Sequence, residues 1–147
     1  RFGYVFDPTL RPLEGTTKPE AMLAEVEPYR EMEAGGFRVL PLPVPHGPLQ
    51  VYGFRVGALG YVTDAKYLPE RTEQALRGVR VLVLNALWWG DPHPTHFSVE
   101  EAVETAQRVG AERTYLTHLS HRVSARDLDE RLPPGVFGAY DGLEVEV

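Results

Sequence analysis

Residues 79–84 read Val-Arg-Val-Leu-Val-Leu, and residues 98–110 carry the strongest helical pattern in the chain. Together these two segments constrain the fold more than any others. The first is a short, nearly continuous apolar run of the kind found in strands buried on both faces. The second opens on Ser98 and Glu101, which make a capping box, and Gly110 stops it. Between them Val99, Ala102, Val103, Ala106 and Val109 form one apolar stripe. A strand is expected at 113–117, then a helix starting near Ser124 and a closing strand at 143–147. Strand, helix, strand, helix, strand is the order of an α/β layered fold with at least partly parallel pairing.

The first half of the chain is less regular. Residues 7–19 are rich in Pro, Gly and Thr and read as a surface loop. Residues 20–34 are helix-friendly in composition, but Pro28 interrupts them, so a strand or a short helix is expected there. Gly35-Gly36 ends that stretch. Residues 37–44 read as a strand running into a proline-rich loop at Pro41, Pro43, Pro45 and Pro48. Two β-rich runs, 51–56 and 59–63, flank Gly57-Ala58 and predict a hairpin. A short helix is expected at 69–76.

No linker, charge block or low-complexity tract divides the chain, so a single domain over 1–147 is expected. The 147 residues carry 15 Lys+Arg against 21 Asp+Glu, a net charge of −6. That balance argues against broad phosphate-backbone binding, though not against a small anionic substrate. No apolar run approaches the roughly 20 residues of a membrane span, and no export signal is read, so a cytoplasmic location is expected. With no cysteine there is no disulfide, no thiolate nucleophile and no Cys-based zinc finger.

The five histidines carry the chemistry. One strand delivers Asp64 at its end, the next Asn85, and a third His118, with His121 three residues on. In open α/β sheets ligands bind at the carboxyl ends of strands. His46 lies in the proline-rich loop, and His93 and His96 lie in the loop after Asn85. An Asp with several His and no Cys suits Zn, Mn or Fe. Each residue also has an ordinary role. Asp64 can cap a turn, His46 and His93 can be solvated loop residues, and His118 can be a satisfied buried histidine. His121 suits a supporting role. Trp88-Trp89 reads as an exposed loop wall or partner surface. From the residues alone the reading is an α/β domain with a His/Asp metal site.

Six short strings occur in one order: Pro-His-Gly at 45–47, Tyr-Val-Thr-Asp at 61–64, Leu-Asn-Ala at 84–86, His-Pro-Thr-His at 93–96, Leu-Thr-His-Leu-Ser-His at 116–121 and Ala-Tyr-Asp-Gly at 139–142. In this the chain resembles the metallo-β-lactamase superfamily, from about Phe2 to its end. Within that superfamily it is most similar to the phosphoribosyl cyclic phosphodiesterase branch, whose relatives include the tRNA 3′-end processing nuclease. The resemblance implies an αββα sandwich with two divalent metal ions, Zn or Mn, at one edge. It implies His46 as ligand of the first metal, Asp64 as the bridge, and His118 as ligand of the second. It also implies His96 as a non-ligand histidine acting on the leaving group or scissile phosphate. His121 is a separate candidate, for substrate binding.

The family's His-x-His-x-Asp-His motif is absent, and no His-x-His pair occurs in the 147 residues. The chain therefore reads as the C-terminal portion of such an enzyme, lacking the N-terminal portion of the fold, or as a remnant unable to hold two metals. The implied activity is hydrolysis of a small phosphodiester, cyclic or linear, by a two-metal-activated hydroxide. The competing readings are an RNA-end nuclease of the same fold and a non-catalytic scaffold. A homodimer is also compatible with the sequence.

Overall fold

The computed structural model describes residues 5, 7, 9–18 and 24–147. Strands β1 (Met32–Ala34), β2 (Phe37–His46), β3 (Leu49–Val56) and β4 (Leu59–Val62) form an antiparallel meander. Strands β5 (Val81–Asn85), β6 (Arg113–Thr117) and β7 (Val136–Gly138) then add in parallel to β4. The result is one seven-stranded sheet in sequence order. Helices α1 (Glu70–Leu76), α2 (Val99–Val109) and α3 (Ala125–Arg131) make the crossovers between the parallel strands.

Two reversals of direction set up the site. Because β2 and β4 both run antiparallel to β3, they point the same way. The carboxyl end of β2 therefore lies at the same sheet edge as those of β4, β5 and β6. Helix α2 forms as its residues dictate: the Ser98 hydroxyl accepts from Glu101 N–H, the Glu101 carboxylate accepts from Ser98 N–H, and Gly110 closes in the left-handed region at φ 73°. The core lies between the sheet and its helices, with Leu42, Val44, Val62, Leu82, Leu84 and Leu116 against Leu76, Val99, Ala102 and Val109. Gly60 and Gly138 let helices approach closely. A Cβ on Gly60 would stand 2.7 Å from Leu76 Cδ2, and one on Gly138 would stand 2.6 Å from Leu128 Cδ1.

Three expectations need correction. Pro41, Pro43 and Pro45 lie inside β2, not in a loop, and His46 is the last residue of that strand. In an antiparallel strand, alternate residues turn their N and C=O toward the same side. These three prolines all turn away from β3, toward an edge where β1 pairs only through Val39. No ladder donor is lost there. Their carbonyls are taken up by the Tyr29 N–H, the Thr72 hydroxyl and the Lys66 N–H, each at 2.9 Å. Residues 143–147 form no strand; the closing strand is β7, after Pro133-Pro134-Gly135. Of the stretch 20–34, residues 20–23 lie outside the described residues, and residues 24–31 are irregular up to the three residues of β1.

The sheet face away from the helices is bare among the described residues. Phe54, Tyr61, Val83, Tyr115 and Phe137 are register partners across five strands of it. Tyr61 is 46% and Phe137 45% exposed. Among the described residues no helix is long and apolar enough to cross a membrane.

A contiguous aromatic row of this kind favours association. The 147-residue chain expressed alone is expected to self-associate, and the double change Tyr61→Thr, Phe137→Thr to shift it toward monomer in sedimentation velocity. An unchanged size distribution would refute the role given to this face.

Candidate metal centre

The strands that end at one sheet edge bring the predicted residues together. His46 closes β2, Asp64 lies two residues beyond β4, and His118 comes directly after β6. His96 comes from the loop between β5 and α2, two residues before the Ser98 cap. One ligand atom each from His46, Asp64 and His96 lie within 4.8 Å of one another. His96 Nε2 is 3.4 Å from Asp64 Oδ1, and His118 Nε2 is 3.9 Å from the same oxygen. The His96 ring centroid is 4.7 Å from those of both His46 and His118. Three imidazoles thus face one carboxylate. A donor set of imidazole and carboxylate without thiolate fits Zn or Mn.

The backbone at His118 is strained. Its φ is +61°, in the left-handed region that β-carbon-bearing residues rarely adopt. Such strain persists where the surroundings impose it, and here it turns the chain from β6 back toward Asp64.

Two further residues hold the frame. Asn85, a strand-end polar group in the sequence, is fully buried, and its Oδ1 accepts from Ala65 N–H at 2.9 Å, tying the residue after Asp64 to β5. It serves the scaffold and not the wall of the site. Lys66, which the sequence did not single out, donates to both Glu101 oxygens, at 2.7 and 2.8 Å, and its N–H bonds Pro45. It therefore links the Asp64 loop, the His46 strand and the α2 cap. The only sequence signal for this role was the Glu101 of the capping box.

Burial would raise the Asp64 carboxyl. The Thr63 hydroxyl, the His96 hydrogen bond and the charges of His118 and His46 outweigh it and hold Asp64 below the ordinary carboxylate range. His96 is depressed below an ordinary imidazole. Burial is the main cause, and His118, His46 and His93 add to it against the pull of Asp64. The resting cluster is a carboxylate facing a neutral His96.

Not every expectation keeps its place. His121 is exposed and lies outside the cluster. His93, read as a solvated loop residue, instead packs at 5.2 Å from the His96 ring and 5.1 Å from Trp88. Trp89 is no exposed wall: it packs on the core with the Arg131 guanidinium 3.6 Å over its ring. Trp88 is half-buried, with Arg122 stacked 4.7 Å from its ring centre. A groove of about 860 Å³, lined by Phe37, Arg38, Arg55 and Arg80, lies at the other end of these strands, away from the cluster.

Fold and cluster together define an α/β domain that presents a histidine–carboxylate donor set for a divalent cation at one sheet edge. Residues 4–119 match the Beta-lactamase superfamily domain, and the chain belongs to the metallo-β-lactamase superfamily. It is 36% identical to a diphosphatase of the PhnP family whose crystal structure is solved, with a TM-score of 0.76 over 82% of this chain and 46% of that one. The metallo-β-lactamase fold protein YhfI from Bacillus subtilis is 21% identical with a TM-score of 0.70, covering 82% of this chain and 54% of YhfI. The short form of human tRNase Z is 20% identical with a TM-score of 0.59, over 76% of this chain and 42% of the tRNase. These last two share the fold. The octanoyltransferase of Porphyromonas gingivalis is 34% identical over 145 residues, which are 98% of this chain and 29% of that protein. The chain thus spans under a third of this relative and about half of the solved structures. The name octanoyltransferase describes a protein most of which lies outside the match.

His118→Gly should raise the unfolding free energy of the metal-free protein by up to about 1 kcal/mol, with a higher denaturation midpoint, because glycine accepts the left-handed backbone freely. A lower midpoint would show that ring contacts outweigh the strain. The metal-free protein should also lose stability as pH falls through the ordinary imidazole range, about pH 7 to 5. There the unfolded chain binds a proton that the depressed folded His96 refuses, so the contribution is complete above that range and disappears below it. Asp64 acts in the same sense at lower pH, where its contribution is lost as the carboxyl protonates. His96→Gln should flatten the slope between pH 7 and 5 in denaturant titrations; an unaltered slope would assign it to other groups.

Proposed function

We propose that the chain carries one side of the active site of a metal-dependent hydrolase acting on a small phosphodiester. The carrying observation is the convergence of His96 Nε2 and His118 Nε2 on Asp64 Oδ1, with His46 beside them. In this reading His46, Asp64 and His118 hold divalent cations, Zn or Mn, with Asp64 placed to bridge because its two oxygens can serve two ions. A bound cation supplies Lewis acidity and a water of lowered pKa. The likeness to a PhnP-family diphosphatase favours a phosphorus ester or anhydride over an acyl group. The net charge of −6 favours a small substrate over a nucleic acid.

His96 is assigned to the chemistry. It is almost fully buried, faces Asp64, and stands two residues before the Ser98 cap of α2, where an anion is favoured. A phosphate arriving beside it would raise its depressed pKa. The protonated ring can then donate from Nε2 to a departing alkoxide.

Two measurements test this reading. Asp64→Ala should remove most of the Zn or Mn retained by the reconstituted protein, read by elemental analysis; unchanged content would sink the ligand assignment. His96→Ala should keep the metal but lower kcat by roughly 10²–10⁴-fold on a phosphodiester with a poor leaving group, and far less on a nitrophenyl ester. Equal losses on both would mark phosphate positioning, and lost metal would make His96 a ligand.

A further inference from the structure

Thr95 touches more of the site than any other non-ionisable residue. Its carbonyl lies 3.2 Å from His46 Nδ1, and its hydroxyl lies 2.8 Å from His96 Nδ1 and 3.2 Å from His93 Nδ1. Its backbone N–H donates to His93 Nδ1 at 3.3 Å. The His96 and His93 Nδ1 atoms are 3.3 Å apart.

Donor and acceptor rules order these contacts. A carbonyl only accepts, so His46 Nδ1 carries the hydrogen. His93 Nδ1 accepts from a backbone N–H, so it presents a lone pair. Were the Thr95 hydroxyl to donate to His96 Nδ1, two bare Nδ1 atoms would face each other at 3.3 Å, so the hydrogen is placed on His96 Nδ1, which donates to the hydroxyl. That hydroxyl in turn donates toward His93 Nδ1. This assignment gives each contact of Thr95 a donor and an acceptor, with the one lone pair of His93 Nδ1 shared between the Thr95 N–H and hydroxyl. It leaves Nε2 of both His46 and His96 without a hydrogen when the rings are neutral. In the neutral ring His96 Nε2 then faces Asp64 Oδ1 at 3.4 Å, lone pair to lone pair, and the hydrogen bond that lowers Asp64 forms when the ring takes a proton at Nε2.

We infer that Thr95 is a positioning residue that pins the Nδ1 hydrogens of His46 and His96 and so directs both Nε2 atoms at Asp64. His93 completes the clamp as the acceptor at its far end. The consequence for catalysis rests on the metal-dependent reading above, whereas the tautomers do not. Thr95 is well shaped for a test, because its methyl occupies the space a Cβ on Gly47 would need, at 2.8 Å. Valine keeps that methyl and deletes only the hydroxyl; serine does the reverse.

The test is nitrogen-15 NMR of the histidine rings in the metal-free protein, with Zn affinity measured alongside. In the wild type His46 and His96 should both show a protonated Nδ1 and a bare Nε2. In Thr95→Val the His46 pattern should persist while His96 becomes a tautomer mixture, and Zn affinity should stay near that of the wild type, because His46 keeps its carbonyl partner. Thr95→Ser should restore the wild-type pattern. His96 protonated at Nε2 alone in the wild type would overturn the inference, even if the valine variant did not fold. So would a valine variant with wild-type His96 signals. If the tautomers are as expected but the protein neither retains metal nor hydrolyses a phosphodiester, the functional reading fails and the clamp stands.

Discussion

Asp64 Oδ1 is approached by two imidazole Nε2 atoms, at 3.4 and 3.9 Å, and a third ring stands within contact of the nearer one. So many rings at that spacing resist being charged together, since each cation raises the cost of the next. The burial of His96 adds to the resistance. The cluster is therefore held as a carboxylate facing a neutral His96. The rest of the structure holds that geometry in place.

Holding it takes four chain segments that share no local sequence. The β2–β3–β4 meander reverses direction twice and brings His46 to the carboxyl edge of the parallel strands. Lys66 then links the Asp64 loop to the α2 cap through Glu101, and to β2 through Pro45. The loop from Leu87 to Val99 is closed by backbone bonds from Leu87 N–H to Phe97 and from Val99 N–H to Trp88, at 2.9 and 2.8 Å. Thr95 and His96 thus sit on a constrained loop and not a free one. Sites gain precision when rigid elements and their hydrogen bonds fix the side chains.

The features legible in the sequence are those decided locally. The capping box of α2, the apolar run of β5, the β3–β4 hairpin and the strand ends at Asp64 and His118 all arise from short-range patterns. The prolines of β2 misled because a proline cluster ordinarily marks a loop. Their spacing of two was the available signal, since it places every missing N–H on one side of a strand. Residues 143–147 alternate apolar and charged side chains like a strand, yet the short Val136–Gly138 segment takes the place beside β6. Alternation says that a strand is possible and not which segment wins the partner. His93 lay between prolines, and nothing local announced that Trp88 and His96 would flank it. The Thr95 clamp depends on contacts across 49 residues of sequence, which no pattern within the loop encodes.

The electrostatics also bear on the proposed function. A depressed Asp64 beside a neutral His96 places a carboxylate charge in the cluster, on a chain that already carries six net negative charges. Lys66, the nearby cation, is neutralised by Glu101 at 2.7 Å. In the proposed function an anionic substrate would meet repulsion from that carboxylate, and divalent cations held by His46, Asp64 and His118 would offset it. The N-terminus of α2 would add its partial positive charge to the same side. The arriving anion is what shifts His96 toward its protonated form. An imidazole that stays neutral until the substrate is seated, with its Nδ1 hydrogen already committed to Thr95, can take up a proton only at the atom that faces the chemistry.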